Sequence, residues 1–192
     1  MTRKIAISLI VAGVIGTGLP AAAGAADKYK IDLSHSAVIF RVMHLGIAPT
    51  YGRFRQLSGT FSLDAKAPHR SAVSIVVAAN SVYTADKKRD AHLRGPDFFN
   101  VKQYPKISFK SSTVTRSGKQ WKVAGKLELH GVVRPVTVVL AQVGAGKDPW
   151  GGYRVGFEGS FEIKRSAFGM TKMIGPASDE VRITLAFEGI KQ

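Results

Sequence analysis

Arg89, Asp90 and His92 place a cation, a carboxylate and an imidazole within four residues. In a catalytic reading Asp90 orients His92 for acid–base work on a substrate. In a structural reading Arg89 and Asp90 fasten a helix against a strand end, and the wider pattern favours this one. No serine is followed by the glycines of a nucleophile elbow. The histidines are His35, His44, His69, His92 and His130, and no two have H-x-x-x-H or H-E-x-x-H spacing. A metal site would therefore have to be assembled by the fold. The chain has no cysteine, which removes disulfides, zinc–thiolate sites, iron–sulfur clusters and thiol nucleophiles together. Gly144-Ala145-Gly146-Lys147-Asp148 has the look of a phosphate loop, but no Ser or Thr follows the lysine. It reads as a flexible hairpin loop.

What remains is apolar chemistry. Phe40, Phe61, Phe109, Phe157 and Phe161 fall on the apolar parity of their segments. They are either a filled core or the wall of a cavity, and the residues support both. A buried methylene gains about 0.8 kcal/mol, so an apolar tunnel is enough to hold a long hydrocarbon without any catalytic group. Ser166 to Ser178 and Arg89 to Phe99 are irregular and would form a mouth, with Met170 and Met173 as adaptable side chains.

The elements that would position these residues are strands. Tyr153, Val155, Phe157, Phe161 and Ile163 alternate with Arg154, Glu158, Ser160, Glu162 and Lys164. That period of two buries one face and wets the other. The same alternation runs through Trp121–Leu129 and Val181–Phe187. Further strands are expected over Lys28–Leu33, Ala37–His44, Gly52–Leu63, Ser71–Thr84, Ile107–Phe109 and Val132–Val143. Ser117-Gly118, His130-Gly131 and Gly144 to Gly152 supply turns between them. Thr84 to Leu93 lacks alternation and predicts one short helix, N-capped by Thr84 and stopped at Gly95-Pro96. About eight or nine strands in one domain must hide their edges. A barrel does this by closure and a sandwich by packing; the alternation does not separate them.

The N-terminus is an address. Arg3 and Lys4 precede an apolar run from Ile5 to Leu19, followed by Ala23-Gly24-Ala25. The run is shorter than the roughly 20 residues a spanning helix needs. Residues 1–25 are expected to be a secretory signal peptide cut after Ala25, leaving one domain over 26–192 in the periplasm. Hydrophobic residues at 45% and charged residues at 21% suit a folded globular chain rather than a disordered one. The net charge of +15 suggests either a solvated surface, a nucleic-acid binder or attraction to anionic lipid headgroups. Export argues against nucleic acid. The lysines mostly fall on the wet parity of the strands.

The order and spacing of several short motifs resemble the YceI-like family. They are His35-Ser36, Phe40, His44, Gly46 and Gly52-x-Phe54, then Gly59-x-Phe61 and Asp64. Ser81-Val82-x-Thr84, Arg89-Asp90-x-His92-Leu93, Asp97-Phe98-Phe99 and Tyr104-Pro105-x-Ile107-x-Phe109 follow. Gly125-x-Leu127-x-Leu129-x-Gly131-Val132, Asp148-Pro149-Trp150-Gly151-Gly152 and Gly175-Pro176-Ala177-Ser178 complete the pattern, which spans Tyr29 to Gly189. The resemblance implies an all-β, lipocalin-like, eight-stranded antiparallel barrel with one short helix. It also implies a binding protein rather than an enzyme, with an isoprenoid lipid such as a polyprenyl phosphate or ubiquinone inside the barrel. No metal and no catalytic cofactor are expected. On that reading the lining comprises Phe40, Phe61, Leu93, Phe98, Phe99, Phe109, Leu127, Phe157, Phe161, Phe168 and Met170. The expected partners are the lipid and, transiently, a membrane surface. A filled barrel serving as a protein-interaction module, or a lipid-modifying enzyme centred on Asp90 and His92, are the rivals. One departure is Val133, where the family often has threonine; any polar role of that hydroxyl is lost here.

Overall fold

Alternation over long segments yields long strands. The computed structural model describes residues 25–192, so the leader expectation lies outside them except at Ala25. The strands are β1 (Asp27–His44), β2 (Ala48–Phe54), β3 (Leu57–Leu63), β4 (Ala72–Ala78), β5 (Val82–Tyr83), β6 (Lys106–Ser117), β7 (Gln120–Leu129), β8 (Val132–Lys147), β9 (Tyr153–Lys164) and β10 (Ala177–Lys191). One helix, α1 (Lys87–Arg94), lies between β5 and β6.

Ten strands make eight staves. β2 and β3 are one bent stave interrupted at Arg55–Gln56, and β4 and β5 are another interrupted by a tight turn at Ala79–Ser81. The two bends are stitched together, since Arg55 N donates to Ser81 O and Gln56 N to Ser81 Oγ. β1 accordingly pairs with β3 along its first part (Tyr29 with Phe61) and with β2 along its last (Val38 with Phe54). Neighbours then follow in chain order, all antiparallel, until β10 returns to β1 and closes the barrel. Closure leaves the eight staves without a long free edge, which decides barrel over sandwich.

Several sequence expectations change in detail. β8 runs on to Lys147, with Gly144 paired to Gly156 and Gly146 to Arg154, so the glycine-rich segment is strand, not loop. The turn proper is Asp148–Gly152, where Asp148 Oδ1 accepts from Trp150 N and Gly152 N. The cap of α1 is Asp86, which accepts from Arg89 N at 2.9 Å, not Thr84. Thr84 precedes the helix and instead donates its hydroxyl to Asp90.

Up-and-down topology puts all connections at two ends. One end carries the start of β1 and the β6–β7 and β8–β9 turns; it is plugged. Tyr29 stacks on Phe61 at 5.0 Å, Phe61 meets Phe157 at 5.9 Å, Phe157 stacks on Phe187 at 5.4 Å, and Trp121 meets Phe157 edge-on at 6.2 Å. Outside this plug Arg154 ties three elements together. It bonds Asp148 and Asp32 at 2.8 Å each and also Glu188. The other end carries the β1–β2 turn, α1, the His130-Gly131 turn and the β9–β10 connection. It is open.

Candidate functional site: an apolar cavity with a cationic mouth

Above the aromatic plug the barrel encloses a cavity of about 520 Å³ that opens at the α1 end. Its wall is inward-facing apolar side chains from almost every stave, including Val73, Ile75 and Val77 of β4, Val123 and Leu129 of β7, and Val181, Ile183 and Leu185 of β10. Glycines keep this space open. A Cβ at Gly52 would sit 2.1 Å from Cζ of Phe40, and one at Gly125 would sit 2.6 Å from Cζ of Phe109. Each ring therefore lies flat over a bare stretch of backbone instead of projecting into the lumen, an arrangement only glycine permits.

Of the residues assigned from sequence, the cavity brings together Phe40, Leu93, Phe98, Phe99, Phe109, Leu127, Phe161 and Met170. Three are placed elsewhere. Phe61 and Phe157 point inward, as their parity requires, but low in the barrel, where they form the plug. Phe168 is buried outside the cavity against Leu127, Leu129 and Met170, and its carbonyl receives a hydrogen bond from His130 Nδ1 at 3.0 Å. The aliphatic lining on β4 and β10 was not singled out from sequence, although its period-two pattern was the available signal. The polar groups of the mouth are Lys88, Arg89, His92, His44 and Arg165; Arg89 and His92 stand where the irregular Arg89–Phe99 segment was expected to frame a mouth.

The mouth is rigidly built. Asp90 is buried and accepts from Thr84 N at 2.8 Å and Thr84 Oγ1 at 2.6 Å. Arg89 closes the same knot by donating to Thr84 Oγ1 and Thr84 O. Arg94 donates to Asn80 O and Val82 O, pinning the helix to the end of its stave. His92 turns the other way, with Nε2 3.0 Å from Asp97 Oδ2 and its ring edge-on to Phe98 at 4.9 Å. Asp90 and His92 are thus not hydrogen-bonded to each other; each has another partner. The His92 contact, above all, holds the Asp97 carboxyl below the usual carboxylate range, with Lys172 adding to it.

The β9–β10 connection is organised by one buried cation. The Arg165 guanidinium donates to the carbonyls of Met170, Lys172, Ala177 and Ser178 at 2.7–3.0 Å. Burial pushes its pKa down while nearby Asp179 pushes it up. An irregular loop has no ladder to satisfy its carbonyls, and here a single planar fork of donors does so. Asp179 in turn accepts from Ser166 N and Ser166 Oγ, and these bonds hold it below its ordinary value.

Known proteins share this architecture. Residues 29–189 match the family model described as YceI-like domain. A UPF0312 protein of Pseudomonas aeruginosa is 44% identical over 169 residues, covering 87% of this chain and 88% of the relative. The crystal structure of BcnA from Burkholderia cenocepacia superposes with a TM-score of 0.75 at 28% identity, covering 82% of this chain and 98% of that one. A polyisoprenoid binding domain from Saccharophagus degradans shares the fold with a TM-score of 0.65 at 17% identity, covering 85% and 98%. With the family model spanning the barrel from β1 to β10 and a close relative over the same length, the chain belongs to the YceI-like domain family.

Proposed function

We propose that this protein is a periplasmic carrier that holds the tail of an isoprenoid lipid, a prenylated quinone or a polyprenyl phosphate, in its barrel. The observation that carries the reading is the cavity itself: about 520 Å³, apolar throughout its depth, closed by aromatics below and open to cationic groups above. At roughly 30 Å³ for a water-sized group, it takes in some fifteen to twenty methylene-sized groups. Burying them grosses about 12–16 kcal/mol before the costs of ordering and association. A branched, flexible tail suits a wall of aliphatic side chains with Met170 at its upper edge. The polyisoprenoid binding domain noted above shares the fold and supports the class of ligand.

The polar rim of Lys88, Arg89, His92 and His44 suits a headgroup left at the mouth. The hydrogen bonds of Asp90 and His92 hold the mouth in shape, which favours a carrier over a lipid-modifying enzyme. Export rests on the leader-like residues 1–25 and places the carrier where such lipids would otherwise have to cross water.

Organic extraction of protein purified from the periplasm, followed by mass spectrometry, tests both points. A stoichiometric prenyl lipid, on a chain beginning at or within a residue or two of Ala26, is expected. Repeatedly lipid-free extracts, together with no binding of added geranylgeraniol, would refute the carrier reading. A full-length N-terminus in the membrane fraction would refute the export reading.

A further inference from the structure

The β1–β2 turn carries an unexpected residue for its backbone. His44 O accepts from Ile47 N at 2.9 Å, and the two residues between them, Leu45 and Gly46, both have positive φ, 53° and 69°. Such two-residue hairpin loops select Asn, Asp or Gly. Leu45 stands there instead, 55% exposed, and Ile47 beside it is 80% exposed. The same oddity recurs in the β9–β10 connection, where Met173 has a φ of 56° and is exposed together with Ile174. The two segments are neighbours: Leu45 N donates to Pro176 O, His44 pairs with Ala177, and Ala177 N donates to Met173 O. Four large apolar side chains are therefore displayed to water at one spot, two of them from strained backbone. Strain of this kind persists where function requires it.

The spot borders the cavity mouth. His44, Met173 and Ala177 belong to the cavity wall. Around the mouth, α1 exposes Lys87, Lys88 and Arg89, and Lys172 adjoins Met173. The acidic groups here are committed: Asp86 caps α1, Asp90 is buried on Thr84, Asp179 is held by Ser166, and Asp97 is held by His92 at 3.0 Å with Lys172 at 3.8 Å.

We propose that this rim docks on a lipid bilayer bearing anionic headgroups. Leu45, Ile47, Met173 and Ile174 enter the boundary between headgroups and acyl chains, and the basic groups of α1 and Lys172 lie against the headgroups. An apolar projection bordered by cations is the composition that partitions to such an interface. It is poorly suited to a water-filled compartment on its own. Each basic group near an anionic surface multiplies the partition about fivefold, and salt screens that share. Docking in this pose presents the cavity to the bilayer, so a tail passes between the two without crossing water. Its purpose rests on the carrier reading above; its test does not.

The experiment is co-sedimentation of the mature protein with vesicles of phosphatidylcholine alone and of phosphatidylcholine with an equal part of phosphatidylglycerol. The probe variant is Leu45→Asn with Ile47→Ser. Asparagine suits the positive φ at 45, so the turn is kept while the apolar projection is lost. The expected result is partition to the anionic vesicles that falls at least tenfold in this variant and severalfold in Lys87→Glu. Trp150→Ser, an exposed tryptophan at the plugged end, should leave partition unchanged. Equal partition of parent and double variant would overturn the proposal, as would equal partition of the parent to neutral and anionic vesicles. Loss in Trp150→Ser instead would assign docking to the other end and overturn it too. Sedimentation showing that the parent dimerises through this rim without binding vesicles would assign the patch to a second copy of the chain and overturn bilayer docking. Uptake of geranylgeraniol from detergent solution should be unaltered in the double variant. If uptake is absent even in the parent while docking persists, the carrier reading fails and the docking surface stands.

Discussion

Phe157 and Phe161 lie on one strand, on one parity, four residues apart, and should respond in opposite ways to the same truncation. Phe157 is 4% exposed and packs against Phe61, Phe187 and Trp121. Phe157→Ala should leave a hole that the rigid plug cannot close, at about 3–5 kcal/mol. With roughly 2–4 °C per kcal/mol for a chain of this size, the melting temperature should fall by about 6–20 °C. Phe161 is half-buried because its ring faces the cavity. Contacts on that side are already missing, so Phe161→Ala should cost only about 1 kcal/mol and a melting shift of about 2–4 °C. Its effect should appear in binding instead. Loss of one aromatic face against the tail should weaken geranylgeraniol about five- to tenfold, while Phe157→Ala in protein still folded at low temperature should bind within about twofold of the parent. Thermal unfolding of the lipid-free proteins and calorimetric titration of the prenyl alcohol measure the two effects. Equal destabilisation by both changes would mean that the lumen is filled. Weakened binding with little destabilisation in Phe157→Ala would mean that the tunnel runs through the plug.

Gly52→Ala should push the Phe40 ring off the barrel wall into the lumen, weakening prenyl-alcohol binding severalfold by calorimetry while the melting temperature falls by only a few degrees. Arg165→Met should leave four carbonyls of the β9–β10 connection without their donor, at about 2–4 kcal/mol, and hydrogen exchange should accelerate over residues 169–178 far more than in the barrel strands. Asp32 is held well below the usual carboxylate range by Ser34 first and then by His35 and Arg154, and Asp148 is lowered mainly by Arg154. Carboxyls depressed on folding contribute stability above their unfolded value of about 3.9 that is lost as pH falls toward their folded values. The melting temperature should therefore drop between pH about 5 and 2, and the drop should be shallower in Asp32→Asn, which a pH series of thermal scans reads directly.

Local pattern determined much of this protein. The alternation of Tyr153 to Lys164 or Val181 to Phe187 fixes which side chains face inward, because successive residues of a strand point to opposite faces. Breaks in alternation located α1 and the irregular β9–β10 connection, the two segments that frame the mouth. The absence of cysteine removes thiol and thiolate chemistry by composition alone, and the scattered histidines carry no metal-ligand spacing. Parity, however, carries no information about height along the barrel axis. Phe61, Phe157 and Phe161 are equivalent in sequence, yet the first two plug one end and the third lines the cavity, because stagger and tilt set depth only once the strands are paired. Whether the interior is filled was decided by pairs distant in sequence: Phe40 over Gly52, Phe109 over Gly125. Closure itself required β1 to meet β10, across nearly the whole chain. The cap of α1 passed from Thr84 to Asp86 because buried Asp90 claimed the threonine hydroxyl. The exposed Leu45 and Met173 became significant only when the fold set their two loops side by side at the mouth, since each alone is an ordinary apolar residue among apolar neighbours.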